Sequence, residues 1–195
     1  MTVQSNKKQI PSDCIYEIDA GKPIYYKGIL AYFEGRKQNE KTMPDSRFQS
    51  WLKGEVFLIL RLLVNELKYT LTVGELGLSI DKHTVRAIDV TIFDRKNFKL
   101  ENTYSKDPPI VALEIDIKGE FKTSKARQKD HQKKIKQLLD FGVQKIIWIY
   151  TDTQKVKVIT KESTTTFDWT TPVEVLDGHY LNISDLEKKY RDLFS

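Results

Sequence analysis

Two carboxylates sit inside stretches that otherwise read as buried strands. Asp89 lies in residues 85–93, apolar apart from Arg86 and Thr91, and Glu114 lies in residues 110–118, Ile-Val-Ala-Leu-Glu-Ile-Asp-Ile-Lys. An unpaired buried carboxylate is costly, so each acid calls for a metal ion, a hydrogen-bond donor or a base. If the two strands are neighbours, the acids converge on one point. Hard oxygen ligands with room left for water suit Mg²⁺, with Mn²⁺ as a substitute, and the backbone carbonyl of Ile115 supplies a third ligand. The metal-free alternative is a buried ion network in which Lys134 and Arg127 neutralise the two acids. Other chemistries lack their residues. His83, His131 and His179 are scattered without zinc-type spacing, and neither a phosphate-binding glycine loop nor a Gly-x-Ser-x-Gly elbow is present.

Residues 110–118 organise the rest of the chain. Side chains alternate along a strand, so Val111, Leu113, Ile115 and Ile117 share one face while Ala112, Glu114, Asp116 and Lys118 share the other, about 7 Å apart at each step. Asp116-Ile117-Lys118 therefore offers a second, shifted arrangement of acid and lysine on the same face. The stretch follows Asp107-Pro108-Pro109 and precedes a basic helix, as a central strand of an α/β unit would.

The flanking elements follow from periodicity. Short strands are expected at 14–17 and 23–28, joined across Asp19-Ala-Gly21. After a polar loop at 35–45, Asp45 or Ser46 caps a long helix over 47–68. Phe48, Leu52, Val56, Ile59, Leu60, Leu63 and Leu67 form its buried stripe, with Glu55 inside the wider apolar arc as a candidate extra metal ligand. Gly74 and Gly77 suggest a turn or bulge between two short strands within 69–80. Residues 125–141 form a helix ending at Gly142, whose row Arg127, His131, Lys134 and Leu138 runs beside an apolar side. Residues 145–151 read as a buried strand parallel to 110–118 through that helix. A more exposed strand at 155–160, a polar stretch at 163–171, a short strand at 173–176 and a closing helix at 184–194 capped by Ser184 complete the chain.

These residues, in this order, resemble a known family. Arg86-Ala-Ile-Asp89-Val, then Val111-Ala-Leu-Glu114-Ile, then Lys134 eight residues before Gly142-Val143, then Ile147-Trp148-Ile149 is similar to a large bacterial family of restriction endonuclease-like proteins long catalogued as a domain of unknown function, within the PD-(D/E)XK phosphodiesterase superfamily. The individual motifs are short, and their order and spacing, from about Ile15 to the last helix, carry the resemblance. It implies Asp89 as the first acid, although Ile88 stands where a proline is usual, and Glu114 as the second. The superfamily's strand lysine falls at Asp116, which departs from the pattern. The family's replacement lysine from the following helix falls at Lys134, with Leu138 where a tyrosine is usual. The histidine that often opens the long helix is replaced here by Gln49-Ser50. The implied function is Mg²⁺-dependent hydrolysis of phosphodiester bonds in DNA. The rival is a catalytically inactive nucleic-acid-binding or regulatory protein on the same fold.

Composition is compatible with both. The 195 residues are 39% hydrophobic and 30% charged, a globular balance, and carry a formal net charge of +5. Residues 118–145 hold nine Lys or Arg against Glu120, Asp130 and Asp140. Of these, Lys125, Arg127, Lys129 and Lys133, together with His131, are the candidate contacts to a nucleic-acid backbone. The lone Cys14 excludes an internal disulfide, and without an apolar signal core or a membrane-length run the expected compartment is the cytoplasm. Cutting both strands of a duplex takes two sites, so a homodimer is a further expectation. The expected fold is a loose lead-in at 1–13 and one α/β domain at 14–195, a restriction-endonuclease-like mixed sheet flanked by helices.

Overall fold

The computed structural model describes residues 10–26, 29–35, 45–116 and 125–192, without the side chains of residues 31 and 125–127. Lys118, and with it the shifted acid–lysine pair, lies outside the described residues, as do most of the lead-in and of the 35–45 loop.

The first hairpin pairs β1 (Ile15–Asp19) with β2 (Lys22–Tyr25). Ala20 and Gly21 both take positive φ, 48° and 76°, as a two-residue hairpin turn of matching twist demands. A short helix, α1 (Ile29–Phe33), follows. The long helix α2 (Arg47–Leu63) opens on a capping box, in which the Ser46 hydroxyl accepts the Gln49 N–H and the Gln49 amide oxygen accepts the Ser46 N–H. It stops five residues earlier than its apolar pattern suggests. Val64 is extended, and the Asn65 side chain accepts the Leu67 N–H in a turn of its own. Leu63 and Leu67 therefore leave the stripe, and Leu67 is 82% exposed.

β3 (Tyr69–Asp81) is one long strand rather than two. Its register against β4 (Thr84–Asp94) shifts between Val73 and Leu76, where Gly74 adopts φ 110°, so the glycines mark a bulge. β5 (Val111–Asp116) pairs antiparallel with β4 on one side and parallel with β6 (Lys145–Tyr150) on the other. The crossover is α3 (Lys125–Phe141), as expected. β7 (Lys155–Ile159) and β8 (Thr164–Asp168) complete an eight-stranded mixed sheet in the order β2-β1-β4-β5-β6-β7-β8, with β3 also on β4. β8 falls in a segment that looked merely polar. Its threonines suit an exposed edge strand, and β7 supplies the pairing. β9 (Val173–Leu176) and β10 (His179–Leu181) form a separate hairpin. In α4 (Ile183–Asp192) the Asn182 side chain, rather than Ser184, accepts the Asp185 N–H at the helix start.

The sheet is packed on both faces. Val111, Leu113 and Ile115 of β5 join Leu52, Val56 and Leu60 of α2 in one core. Ala112 joins Leu138 of α3, Trp148 and Val143 in the other. Strand alternation therefore turns Glu114, two residues from Ala112, toward α3.

Candidate active site

The site lies where β4 and β5 part. Their register pairs Ile92 with Val111, Thr91 with Ala112 and Val90 with Leu113, and the next step would set Asp89 opposite Glu114. There the Asp89 carboxylate takes over from the backbone, and its Oδ2 accepts the Ile115 N–H at 2.8 Å. The two acids that the sequence singles out are thus brought together at the end of a ladder.

Each has a lysine. Lys134 reaches in from α3 and places Nζ 2.6 Å from Glu114 Oε1, 2.7 Å from Glu17 Oε1 and 2.8 Å from the Ala87 carbonyl, which it donates to. Its ammonium thus stands among one carbonyl and two carboxylate oxygens. The contact with Glu114 has ion-pair distance but not hydrogen-bond alignment, so Glu114 Oε1 is a buried oxygen with no aligned donor. Lys53 reaches in from α2 and places Nζ 2.7 Å from Asp89 Oδ1 and 2.7 Å from Asp45 Oδ2. Gln49, one helical turn before Lys53, donates its amide to the Ile115 carbonyl at 3.2 Å.

Behind Lys134 lies a second layer. The fully buried Arg86 donates to Glu17 Oε2 at 2.7 Å and to Gln137 at 2.8 Å, and pairs with Asp130 at 3.3 Å and Asp19 at 3.6 Å. Lys133 pairs with Asp19 at 2.5 Å. β1, β4 and α3 are tied together by charge beside the candidate site.

The charges respond to this setting. Burial pushes the Glu114 carboxyl well above the usual range, Lys134 pulls it down, and Asp89 pushes it further up. For Lys134 burial alone favours the neutral amine, but Glu114, Glu17 and Tyr16 outweigh it and hold the ammonium charged. Glu17 is also pushed up by burial, yet contacts with Lys134 and Arg86 bring its carboxyl below the usual range. Lys53 is raised on balance, because Asp89 and Asp45 overcome its partial burial.

The donor set suits a hard divalent cation in kind. Asp89, Glu114 and the Ile115 carbonyl supply oxygens, and Glu114 Oε1 is the buried oxygen without an aligned donor. Among the described residues no three of His, Cys, Asp and Glu group together as a cation cage. The remaining sequence candidates fall differently. Asp116, at the exposed end of β5, accepts the Trp148 indole N–H at 2.9 Å and stays within electrostatic reach of Glu114, Asp89, Lys134 and Lys53. Glu55 makes no ion pair among the described residues. It is two residues past Lys53, about 200° around α2, so Lys53 and not Glu55 addresses the site. His131 turns inward, with its ring 3.9 Å from that of Trp148 and Nε2 3.0 Å from the Tyr150 hydroxyl. Lys129 and Lys133 are exposed on α3, while the side chains of Lys125 and Arg127 are outside the described set.

The fold is of the α/β class: a mixed sheet with β5 and β6 parallel through α3, and with Asp89 and Glu114 at the parting of β4 and β5. No family model matches the sequence and no curated protein matches it. Among solved structures, one described as a "putative nuclease belonging to DUF820", from Anabaena variabilis ATCC 29413, superposes with a TM-score of 0.67 at 20% identity over 93% of this chain and 94% of that chain. At that identity the likeness shows the fold, a fold shared with a protein so described.

Sequence reasoning missed Glu17, Arg86, Gln49 and Lys53 as members of the cluster. Lys53 carries one weak signal. It follows Gln49 by four residues, next to Leu52 of the buried stripe, where a fully solvated lysine is not expected. Glu17 carries none, because its partners are 69 and 117 positions away along the chain.

Proposed function

We propose that the protein is a metal-dependent nuclease that hydrolyses phosphodiester bonds in DNA. The observation that carries this is the meeting of Asp89 and Glu114 at the splayed ends of β4 and β5, with Lys134 held charged against Glu114, on a fold shared with a protein described as a "putative nuclease". Asp89, Glu114 and the Ile115 carbonyl would hold Mg²⁺ or Mn²⁺. Such an ion, when bound, lowers the pKa of a water and offsets charge on a phosphate. Lys134 contributes a fixed positive charge whose position Glu17 and Arg86 set, and that charge favours the extra negative charge of phosphoryl transfer. The exposed Lys129 and Lys133 of α3 favour a phosphate backbone alongside. Double-strand cutting would take two such sites, which a homodimer supplies.

A second reading has its own support. Each acid is already matched by a lysine, Asp89 by Lys53 and Glu114 by Lys134, as in a nucleic-acid-binding protein that keeps the fold without the reaction. One assay separates the two. Supercoiled plasmid is incubated with the protein and Mg²⁺ or Mn²⁺, beside Glu114→Gln and an EDTA control. A nuclease nicks or linearises the plasmid only with metal, and Glu114→Gln abolishes cleavage while still shifting DNA on a gel. Equal DNA binding with no metal-dependent cleavage by the parent protein would assign the second reading.

A further inference from the structure

Asp89 has no idle oxygen: Oδ2 accepts the Ile115 N–H at 2.8 Å, and Oδ1 lies 2.7 Å from the ammonium of Lys53. Any cation that takes Asp89 has to share Oδ1 with Lys53 or displace it. Lys53 is the less enclosed of the two site lysines. Its side chain is 13% exposed against 7% for Lys134, and its other ion-pair partner is Asp45 just before α2, itself 37% exposed. Lys134 is the contrast, since three buried acceptors hold it and Glu17 is itself pinned by Arg86. The two lysines therefore have different roles although both neutralise a site acid.

We propose that Lys53 is the resident counter-ion of Asp89, a positioning residue that holds the carboxylate in place before a divalent cation binds and competes with that cation for it. On binding, Lys53 gives up Oδ1 and retains Asp45. The inference rests on the metal site proposed above. It makes a prediction that runs against the usual effect of removing a residue from a site: taking away Lys53 improves metal binding. A cation in contact with a carboxylate changes that carboxylate's affinity for a proton by about 10-fold to 1000-fold, and it opposes another cation in the same sense.

The test is binding of MnCl₂ alone to the full chain, followed by the electron paramagnetic resonance signal of free Mn²⁺ and by calorimetry. Lys53→Met should bind Mn²⁺ about 10-fold or more tightly than the parent protein. Lys53→Arg, which keeps the charge, should stay close to the parent, and Asp89→Asn should lose binding. If Lys53→Met fails to fold, Lys53→Gln removes the charge while keeping a hydrogen-bonding head. Parent protein that binds Mn²⁺, with both charge-removing variants no tighter, would overturn the counter-ion role and leave the metal site standing. Loss of tightening together with no Mn²⁺ binding by the parent would overturn the role and the metal site together.

Discussion

At the scale of single residues, the site is balanced between too many acids and just enough bases. Lys134 faces Glu17 and Glu114 while nearly buried, so Lys134→Met leaves two buried carboxylates without their common cation. Removing one partner of a buried pair costs about 3–5 kcal/mol, which urea unfolding should register. Glu17 makes stability depend on acid. Its folded-state pKa lies below its unfolded value, so its contribution is complete above the ordinary carboxylate pKa of about 4.3 and is lost as the pH falls through the depressed folded-state value. Urea midpoints measured downward from pH 6 should therefore fall below that range. In Glu17→Gln, which is less stable throughout, this part of the fall should be missing. Asp89 and Glu114 would repel one another as neighbouring carboxylates, and Lys53 and Lys134, which only the packed structure brings to them, soften that repulsion.

At the scale of elements, the start of α2 and the end of α3 do the positioning. Gln49 closes the capping box with one end of its amide and holds the Ile115 carbonyl with the other. Ser46→Ala should cost about 1 kcal/mol of stability through the lost cap. It should also weaken Mn²⁺ binding, because the Gln49 N–H loses its acceptor and the first turn that places the Gln49 amide against the Ile115 carbonyl loosens. An unchanged metal affinity in that variant would uncouple the cap from the site. Gly142 ends α3 at φ 120°, and a Cβ there would stand 3.0 Å from Pro108, just ahead of β5. Gly142→Ala should cost more than about 1 kcal/mol, seen as a lower denaturant midpoint, since both backbone and space oppose it. The sequence located the end of α3 at Phe141 because the Gly142 cap and the helix's apolar side agree. It overran α2 because Leu67 continues the helical spacing, although Asn65 has already turned the chain.

At the scale of the whole molecule, two responses follow from the proposed function. Mn²⁺ binding only the folded state stabilises it by about 2.7 kcal/mol at a hundred times the dissociation constant, so millimolar Mn²⁺ should raise the melting temperature. Asp89→Asn should lack that rise. With a net charge of +5 and exposed lysines on α3, DNA affinity should fall steeply between about 50 and 200 mM salt, read by fluorescence anisotropy. A flat response would remove the phosphate backbone as the partner. Among the described residues no helix is long and apolar enough to cross a membrane.

By itself the sequence determined the strands that carry Asp89 and Glu114, the crossover helix that carries Lys134 and the parallel pairing of β5 with β6. These are local matters of alternation, helical period and end signals, each visible within a dozen residues or so. The tertiary structure decided which charges meet. Glu17 and Arg86 meet across 69 positions, Lys134 and Glu17 across 117, and Lys53 reaches Asp89 across 36. No periodicity encodes such pairs, because an ion pair depends on where two side-chain tips end after the sheet and both helix layers have packed. The same packing turned His131 inward and set Lys53, rather than Glu55, against the first acid.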